Sequence, residues 1–329
     1  MDRNAELEAF KCQINLSEFA ASLGYALNRK ASCRTSVEMV SPDGDKVVIM
    51  RDTDSHWIYF SRRDERDNGS IIDFLQKRRP CSLGQVRMAL RPWIGESAHP
   101  PKRPPANSYA PQLEPASKDL VQVQAAFAVM EPVNAHPYLK SRHIPATVLS
   151  SPRLAGRVYS DARHNAIFPH YNAMGLCGYE IKNQGFTGFA KGGEKGLWFS
   201  AINRADTAAV IGETAIDAIS YYALHPSPAM RLFSTGGSMN PDQPGLIARA
   251  VARLPLQGQI IIATDHDPGG DSLAEAIRHA VESAARPDLQ ITRHSPDQAG
   301  QDWNDVLRRS EAPQTQQTVN GVGWGRLEP

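Results

Sequence analysis

The chain has 329 residues, 41% of them hydrophobic, which is enough for two or three packed domains. It holds no run of about 18 apolar residues, which excludes a membrane-spanning helix. The opening MDRNAELEAF is acidic and lacks an apolar signal segment, so a cytoplasmic protein with no membrane partner is expected. A net charge of +1 excludes polyanion binding through bulk charge alone.

The distribution of charge is more informative. Residues 1–118 carry a net +3 and residues 119–204 a net +4, whereas residues 205–310 carry a net −5. A polyanion would be gripped mainly by the first two segments. Four cysteines, Cys12, Cys33, Cys81 and Cys177, are scattered without Cys-x-x-Cys spacing and read as reduced thiols.

Residues 16–27, LSEFAASLGYAL, have helical spacing with Ser17 as a candidate cap. Residues 37–52 read as a hairpin around Pro42-Asp43-Gly44-Asp45, and residues 56–63 alternate as a further strand. Two short helices follow within residues 69–93, so residues 1–97 predict a separate small α+β domain. Lys77, Arg78, Arg79, Arg87 and Arg91 fall in a stretch, 74–95, without one acid. That stretch is either a phosphate-binding face or a solvated helix face. Trp57, Tyr59 and Phe60 on the preceding strand either pack in the core or leave a ring for stacking on bases.

This order of elements resembles the zinc-binding N-terminal domain of bacterial primases. Residues 69–75 and 82–90 match its two closing helices. Its Cys-x-x-His and Cys-x-x-Cys ligand pairs are absent, and SRRDERD at 61–67 stands where the second pair belongs. The resemblance therefore implies a relative of that domain that holds no zinc.

Residues 98–118 are dense in proline and predict a semi-rigid linker. Beyond it, residues 119–204 predict a helix, a short helix with a turn at Ile144-Pro145, two paired strands turning at 172–175, and a glycine-rich basic loop running into a strand. Residues 205–310 alternate strand and helix four times, as a parallel sheet requires. Residues 311–329, rich in Gln, Gly and Thr, read as a mobile tail.

Two strands in the third segment end in carboxylates. Residues 208–213, AAVIGE, lead into the helical pattern TAIDAISYYAL. Residues 260–271, IIIATDHDPGGD, run from a buried-strand pattern into Asp265-His266-Asp267 and then Pro-Gly-Gly, read as the turn that ends the strand. Open α/β sheets bind ligands at the carboxyl ends of their strands, where Glu213, Asp265 and Asp267 could converge. Residues two apart in an extended segment share a side, and two carboxylates so placed repel unless a cation lies between them. Hard oxygen donors of this kind suit Mg²⁺ or Mn²⁺. The competing reading is that the aspartates cap the next helix. Asp217 lies one helical turn beyond Glu213 and could orient it. Asp271 is a further ligand or a helix cap, and His266, on the opposite strand face, is structural.

These motifs resemble the Toprim domain, shared by bacterial primases, topoisomerases and several nucleases. Its pattern is a glutamate after the first strand and Asp-x-Asp after a later one. The primase form continues Glu-Gly-x-x-Asp; here Glu213-Thr214-Ala215-Ile216-Asp217 keeps the aspartate and replaces the glycine by threonine. Ser234-Thr235-Gly236-Gly237-Ser238 with Gln243, and the closing Asp302-Trp303-Asn304-Asp305, resemble further primase segments. So does the preceding subdomain, through Tyr138-Leu139-x-x-Arg142, Ile167-Phe168-Pro169 and Lys195-Gly196-Leu197-Trp198. There the family carries a basic ridge for template DNA; its Gly-Arg is Tyr179-Glu180 here, leaving Lys182, Lys191 and Lys195 as the candidates, with Lys191 and Lys195 otherwise read as part of a surface loop.

The fold expected is thus α/β, a Toprim-type parallel sheet with helices on both faces, preceded by a small α+β subdomain and a separate N-terminal α+β domain. The resemblance implies a metal-dependent nucleotidyltransferase making short RNA primers from NTPs on single-stranded DNA, in plasmid or phage replication or transfer. Asp265 and Asp267 would hold Mg²⁺ or Mn²⁺, and Glu213 would complete the shell or act as acid or base. A Toprim nuclease and a non-catalytic DNA-binding scaffold are the alternatives. Unwinding would need a separate helicase, because the chain lacks a Gly-x-x-x-x-Gly-Lys-Ser/Thr loop.

Overall fold

The structure, a computed structural model, describes residues 3–52, 55–64, 66–94 and 118–310. Nearly all of the proline-rich linker, and the C-terminal tail, lie outside the described residues. Three five-stranded sheets organise the rest. No helix among the described residues is long and apolar enough to cross a membrane.

The first sheet forms from α1 (Arg3–Gln13), α2 (Leu16–Ser22), β1 (Ala26–Leu27), β2 (Ser36–Val40), β3 (Lys46–Arg51), β4 (Trp57–Ser61), β5 (Asn68–Ser70), α3 (Ile71–Arg78) and α4 (Leu83–Leu90). Its strands run antiparallel in chain order. The helix predicted over 16–27 stops at Ser22, because Gly24 adopts a φ of 94° and turns the chain into β1. Ser70 caps α3 in a reciprocal box with Asp73, and Gly69 is obligatory beside it: a Cβ there would lie 2.6 Å from the Asp73 carboxylate. Phe10, Phe19, Met39, Ile49, Tyr59, Phe74 and Leu90 fill the core.

The second sheet follows α5 (Leu120–Ala128). It contains β6 (Glu131–Pro132), β7 (Tyr159–Ser160), β8 (Ala166–Asn172), β9 (Gly175–Asn183) and β10 (Phe186–Phe189), with α6 (Pro137–Ser141) and α7 (Ala146–Leu149) inserted after β6. The first sheet's β4–β5 loop reaches it: Arg62 Nη1 donates to the Thr187 carbonyl at 3.2 Å.

The third sheet is built from β11 (Trp198–Phe199), β12 (Ala208–Gly212), α8 (Ala215–Leu224), β13 (Met230–Ser234), α9 (Gln243–Val251), β14 (Gln259–Ala263), α10 (Pro268–Glu282), β15 (Gln290–Arg293) and α11 (Trp303–Ser310). Its order is β11-β13-β12-β14-β15, parallel except for β11. Side chains alternate between two cores, as parallel strands buried on both faces require. Ala209, Ile211, Ile260 and Ile262 pack with α9 and α10. Val210 packs with α8, α11 and, from the second-sheet region, Tyr138, Leu139 and Phe168. Residues on either side of position 204 therefore share one core. Below the sheet, Asp206 is enclosed by Arg153 at 2.7 Å and Arg231 at 3.1 Å, all three side chains buried.

Candidate active site at the strand ends

The sheet register assembles the site. Gly212 pairs with both Ser234 and Ala263, so β12, β13 and β14 end in line. The chain leaves β12 for β13 on one side, and β14 lies on the other, which makes their carboxyl ends the switch point of the sheet. Glu213 follows β12 there, and Asp265 and Asp267 follow β14.

Two local details differ from the sequence expectation. β14 ends at Ala263, so Asp265 and Asp267 lie on a bent connection and not on alternate positions of a strand. Pro268-Gly269-Gly270 is the first turn of α10, with Asp267 as its N-cap accepting from the Gly270 amide at 2.7 Å. Proline is suited to that first position because its missing N–H has no helical partner there. Gly270 is needed because a Cβ would lie 2.2 Å from the Asp265 carbonyl. Thr214 caps α8: it accepts from the Asp217 amide at 3.2 Å and its hydroxyl donates to the Asp217 carboxylate at 2.5 Å.

Five carboxyl groups interact at this edge. Burial, then Asp302 and Glu213, push Asp217 up to about 8. Burial and Asp267 push Glu213 up to about 7, against Lys195 and Lys182. Asp265 is pushed up to about 11, first by burial and then by Asp217, Glu213, Asp302 and Asp267. Asp302, raised mainly by burial, closes the set. Sequence reading placed Asp302 in a family segment but not in the site; its position just before a strongly amphipathic helix was the available signal.

This donor set fits a hard divalent cation. The Asp265 Oδ1 is buried and has no hydrogen-bond partner, so an oxygen lone pair is directed at nothing in the protein. Clustered carboxylates raised by burial and by their mutual repulsion are stabilised by such an ion. Among the described residues no three His, Cys, Asp or Glu side chains already stand as ligands of one ion. Asp271 is exposed and paired with Arg293 at 2.6 Å, and that guanidinium also donates to the Asp265 carbonyl at 3.2 Å. His266 Nδ1 lies 2.7 Å from the Pro296 carbonyl, a structural contact.

Lys182, on β9, and Lys195, on the loop before β11, act electrostatically on Glu213. Lys195 donates to the Ser238 carbonyl at 3.1 Å. Burial lowers its pKa, while Glu180 and Glu213 oppose that effect. Lys182 is buried, 3.8 Å from Glu180. Lys191 is exposed on the loop between β10 and β11.

The basic run in the N-terminal region is divided. Arg78 is not on an open face: it bonds Asp67 at 2.8 Å and Asp45 at 2.9 Å and lies over the Phe74 ring at 4.2 Å. Arg87 and Arg91 both pair with Glu6, at 3.1 and 2.6 Å. Lys77 and Arg79 are exposed, with Lys77 held near the Asn68 carbonyl at 3.4 Å. Tyr59 is a core residue, while Trp57 and Phe60 are half-buried.

With a parallel sheet and a carboxylate cluster at its switch point, the chain is similar to known proteins by family model and by structure. Residues 210–307 match the family described as Toprim-like, and residues 137–206 match one described as a protein of unknown function (DUF3991). No curated protein matches the chain. A DNA primase domain from Pseudomonas aeruginosa is similar at 14% identity, covering 58% of this chain and 74% of that one with a TM-score of 0.39. The primase fragment of the bacteriophage T7 primase-helicase protein is similar at 15% identity, covering 62% and 81% with a TM-score of 0.33. The RNA polymerase domain of the Mycobacterium tuberculosis primase is similar at 13% identity, covering 56% and 70% with a TM-score of 0.29. Residues 210–307 are thus Toprim-like, and the solved structures to which the chain is similar are bacterial and phage DNA primases.

Proposed function

We propose that this protein is a primase-like nucleotidyltransferase that makes short RNA primers on single-stranded DNA from NTPs. The observation that carries this reading is Lys195, whose ammonium donates to Ser238 in the loop whose Gly237 amide bonds the Glu213 carbonyl, with Lys182 as a second positive charge acting on Glu213. Attack on phosphorus by water can use the same acids and cation. Joining a 3′ hydroxyl to a nucleoside triphosphate also needs positive groups for the triphosphate, and the −5 segment supplies few.

In the reaction, the 3′ oxygen of the growing strand bonds to the α-phosphorus and the bond to the pyrophosphate oxygen breaks. Asp265 and Asp267 are the residues that would hold Mg²⁺ or Mn²⁺, with Asp302 and Asp217 behind them. When bound, the cation neutralises charge developing on the phosphoryl oxygens and favours ionisation of the attacking hydroxyl. Glu213, pushed up to about 7, is suited to take the hydroxyl proton at a carboxylate oxygen near neutral pH. The Asp267 carboxylate is oriented by the Gly270 amide. Lys195 is oriented by the Ser238 carbonyl, leaving ammonium donors for phosphate oxygens. Exposed Lys77, Arg79 and Lys191 would contribute to the grip on the DNA backbone. A separate helicase and a plasmid or phage setting belong to this reading.

The test is incubation with single-stranded DNA, labelled NTPs and Mg²⁺ or Mn²⁺. Short RNA that requires template and disappears in Asp265→Asn is expected. Metal-dependent shortening of the DNA without RNA would make the protein a nuclease, and DNA binding with neither product a scaffold.

A further inference from the structure

Glu180 is a buried carboxylate outside the acid cluster, on β9. Its Oε1 stands 3.1 Å from His170 Nε2, and its Oε2 stands 3.8 Å from Lys182 Nζ. The other nitrogen of His170 donates to the Gly196 carbonyl at 2.8 Å. Gln243 donates to that same carbonyl at 2.8 Å, and Asn240 donates to the neighbouring Lys195 carbonyl at 2.9 Å. The backbone is therefore bonded at the carbonyl of Lys195 and at that of the next residue.

Gly236 closes the arrangement from above. It has a φ of 67°, and a Cβ there would meet His170 Cε1 at 2.8 Å and Glu180 Oε1 at 3.3 Å. The loop after β13 thus rests on the His170–Glu180 pair while its Ser238 carbonyl receives the Lys195 ammonium.

We propose that Glu180 is a positioning residue for phosphate recognition: it fixes Lys182 and Lys195 as charged groups beside Glu213, so that Lys195 meets a phosphate of the substrate. Two like charges brought together out of water repel, and each pays a desolvation cost. One buried carboxylate that stands 3.8 Å from Lys182 and interacts electrostatically with Lys195 offsets both effects. Burial pushes Glu180 up, but the His170 hydrogen bond and the charges of Lys182 and Lys195 hold it below the usual carboxylate range. Glu180 is engaged by His170 and Lys182, so it does not take the place of a phosphate at Lys195. Removing its charge leaves the lysines to repel each other, and Lys195 loses its set position.

The phosphate belongs either to a nucleoside triphosphate or to the strand backbone. The nucleotide source rests on the primase reading; the assignment of Glu180 does not. Equilibrium binding of Mg·ATP and, separately, of a single-stranded oligonucleotide distinguishes them, measured on the full chain with Glu180→Gln, Glu180→Asp, Lys195→Ala and Glu180→Gln/Lys195→Ala. Glu180→Gln should weaken binding in at least one arm by about tenfold, the scale of losing one charge-assisted contact. In the Lys195→Ala background the same change should have little further effect, a coupling that general loosening of the fold would not produce. Glu180→Asp, which keeps the charge, should recover most of the affinity, and it carries the comparison if the glutamine variant fails to fold. Coupling in the oligonucleotide arm with no Mg·ATP binding by the wild type would retain Glu180 and discard the primase reading. An effect of Glu180→Gln that persists without Lys195, or no effect in either arm, overturns the proposal.

Discussion

The backbone amide of Gly237 donates to the carbonyl of Glu213 across 2.9 Å. Ser234 Oγ donates to that carbonyl too, at 3.1 Å, so the loop after β13 is tied to the glutamate after β12. A change in the loop should reach Glu213 through these bonds.

Gly236→Ala tests this link. Its left-handed φ of 67° and the His170 ring 2.8 Å from a new Cβ both oppose alanine. The variant should lose about 1–2 kcal/mol of stability, the cost of one non-glycine residue in that conformation. Its catalytic loss should be larger than that stability loss implies. Melting temperature and turnover measured on the same preparation check this, and wild-type turnover would separate the loop from the site.

Asp265→Asn and Asp267→Asn should each reduce metal-dependent turnover by about a hundredfold or more, as loss of a charge-stabilising group at a reacting centre does. Folding should be retained, because each change relieves repulsion in the cluster. Asp302→Asn should weaken Mg²⁺ binding less, since Asp302 acts on the site through its electrostatic interaction with Asp217, Glu213 and Asp265. Mg²⁺ titrations of turnover, with circular dichroism as the folding control, distinguish the three.

The acid cluster also sets a pH dependence of stability. Glu213 and Asp217 are raised, to about 7 and about 8, so the folded protein binds more protons than the unfolded chain above the ordinary carboxylate range. Stability of the metal-free protein should therefore be fully present below about pH 4 in this contribution, and should fall as pH rises toward about 8. Saturating Mg²⁺ should flatten the fall by stabilising the ionised acids. Thermal melts from pH 5 to pH 9, with chelator and with Mg²⁺, check both the sign and the reversal.

Asp206 makes a prediction away from the chemistry. Its carboxylate joins Arg153 and Arg231 under the third sheet, with all three buried. Asp206→Ala leaves two buried guanidinium groups without their shared anion and should cost about 3–5 kcal/mol. Denaturant unfolding monitored by tryptophan fluorescence measures it. The acid cluster should keep its metal response in whatever fraction remains folded.

Much of the Toprim region was legible from local pattern. Apolar runs ending in Glu213 and in Asp265-His266-Asp267, each followed by helical spacing, located two strand ends and the carboxylates at them, because periodicity and end residues are properties of short stretches. Their joint position is a matter of register: Gly212 opposite Ala263 brings together groups more than 50 residues apart. Local reading mistook Pro268-Gly269-Gly270 for a turn, since nothing nearby reveals how closely Gly270 must approach the Asp265 carbonyl. It also presented Arg78 as a surface cation, whose partners Asp45 and Asp67 come from other strands and loops. Asp302 and Glu180 gained their significance in the same way, from charges that folding brings within reach. A side chain's type and spacing are inscribed along the chain, whereas its electrostatic surroundings exist only after distant segments have packed and excluded water.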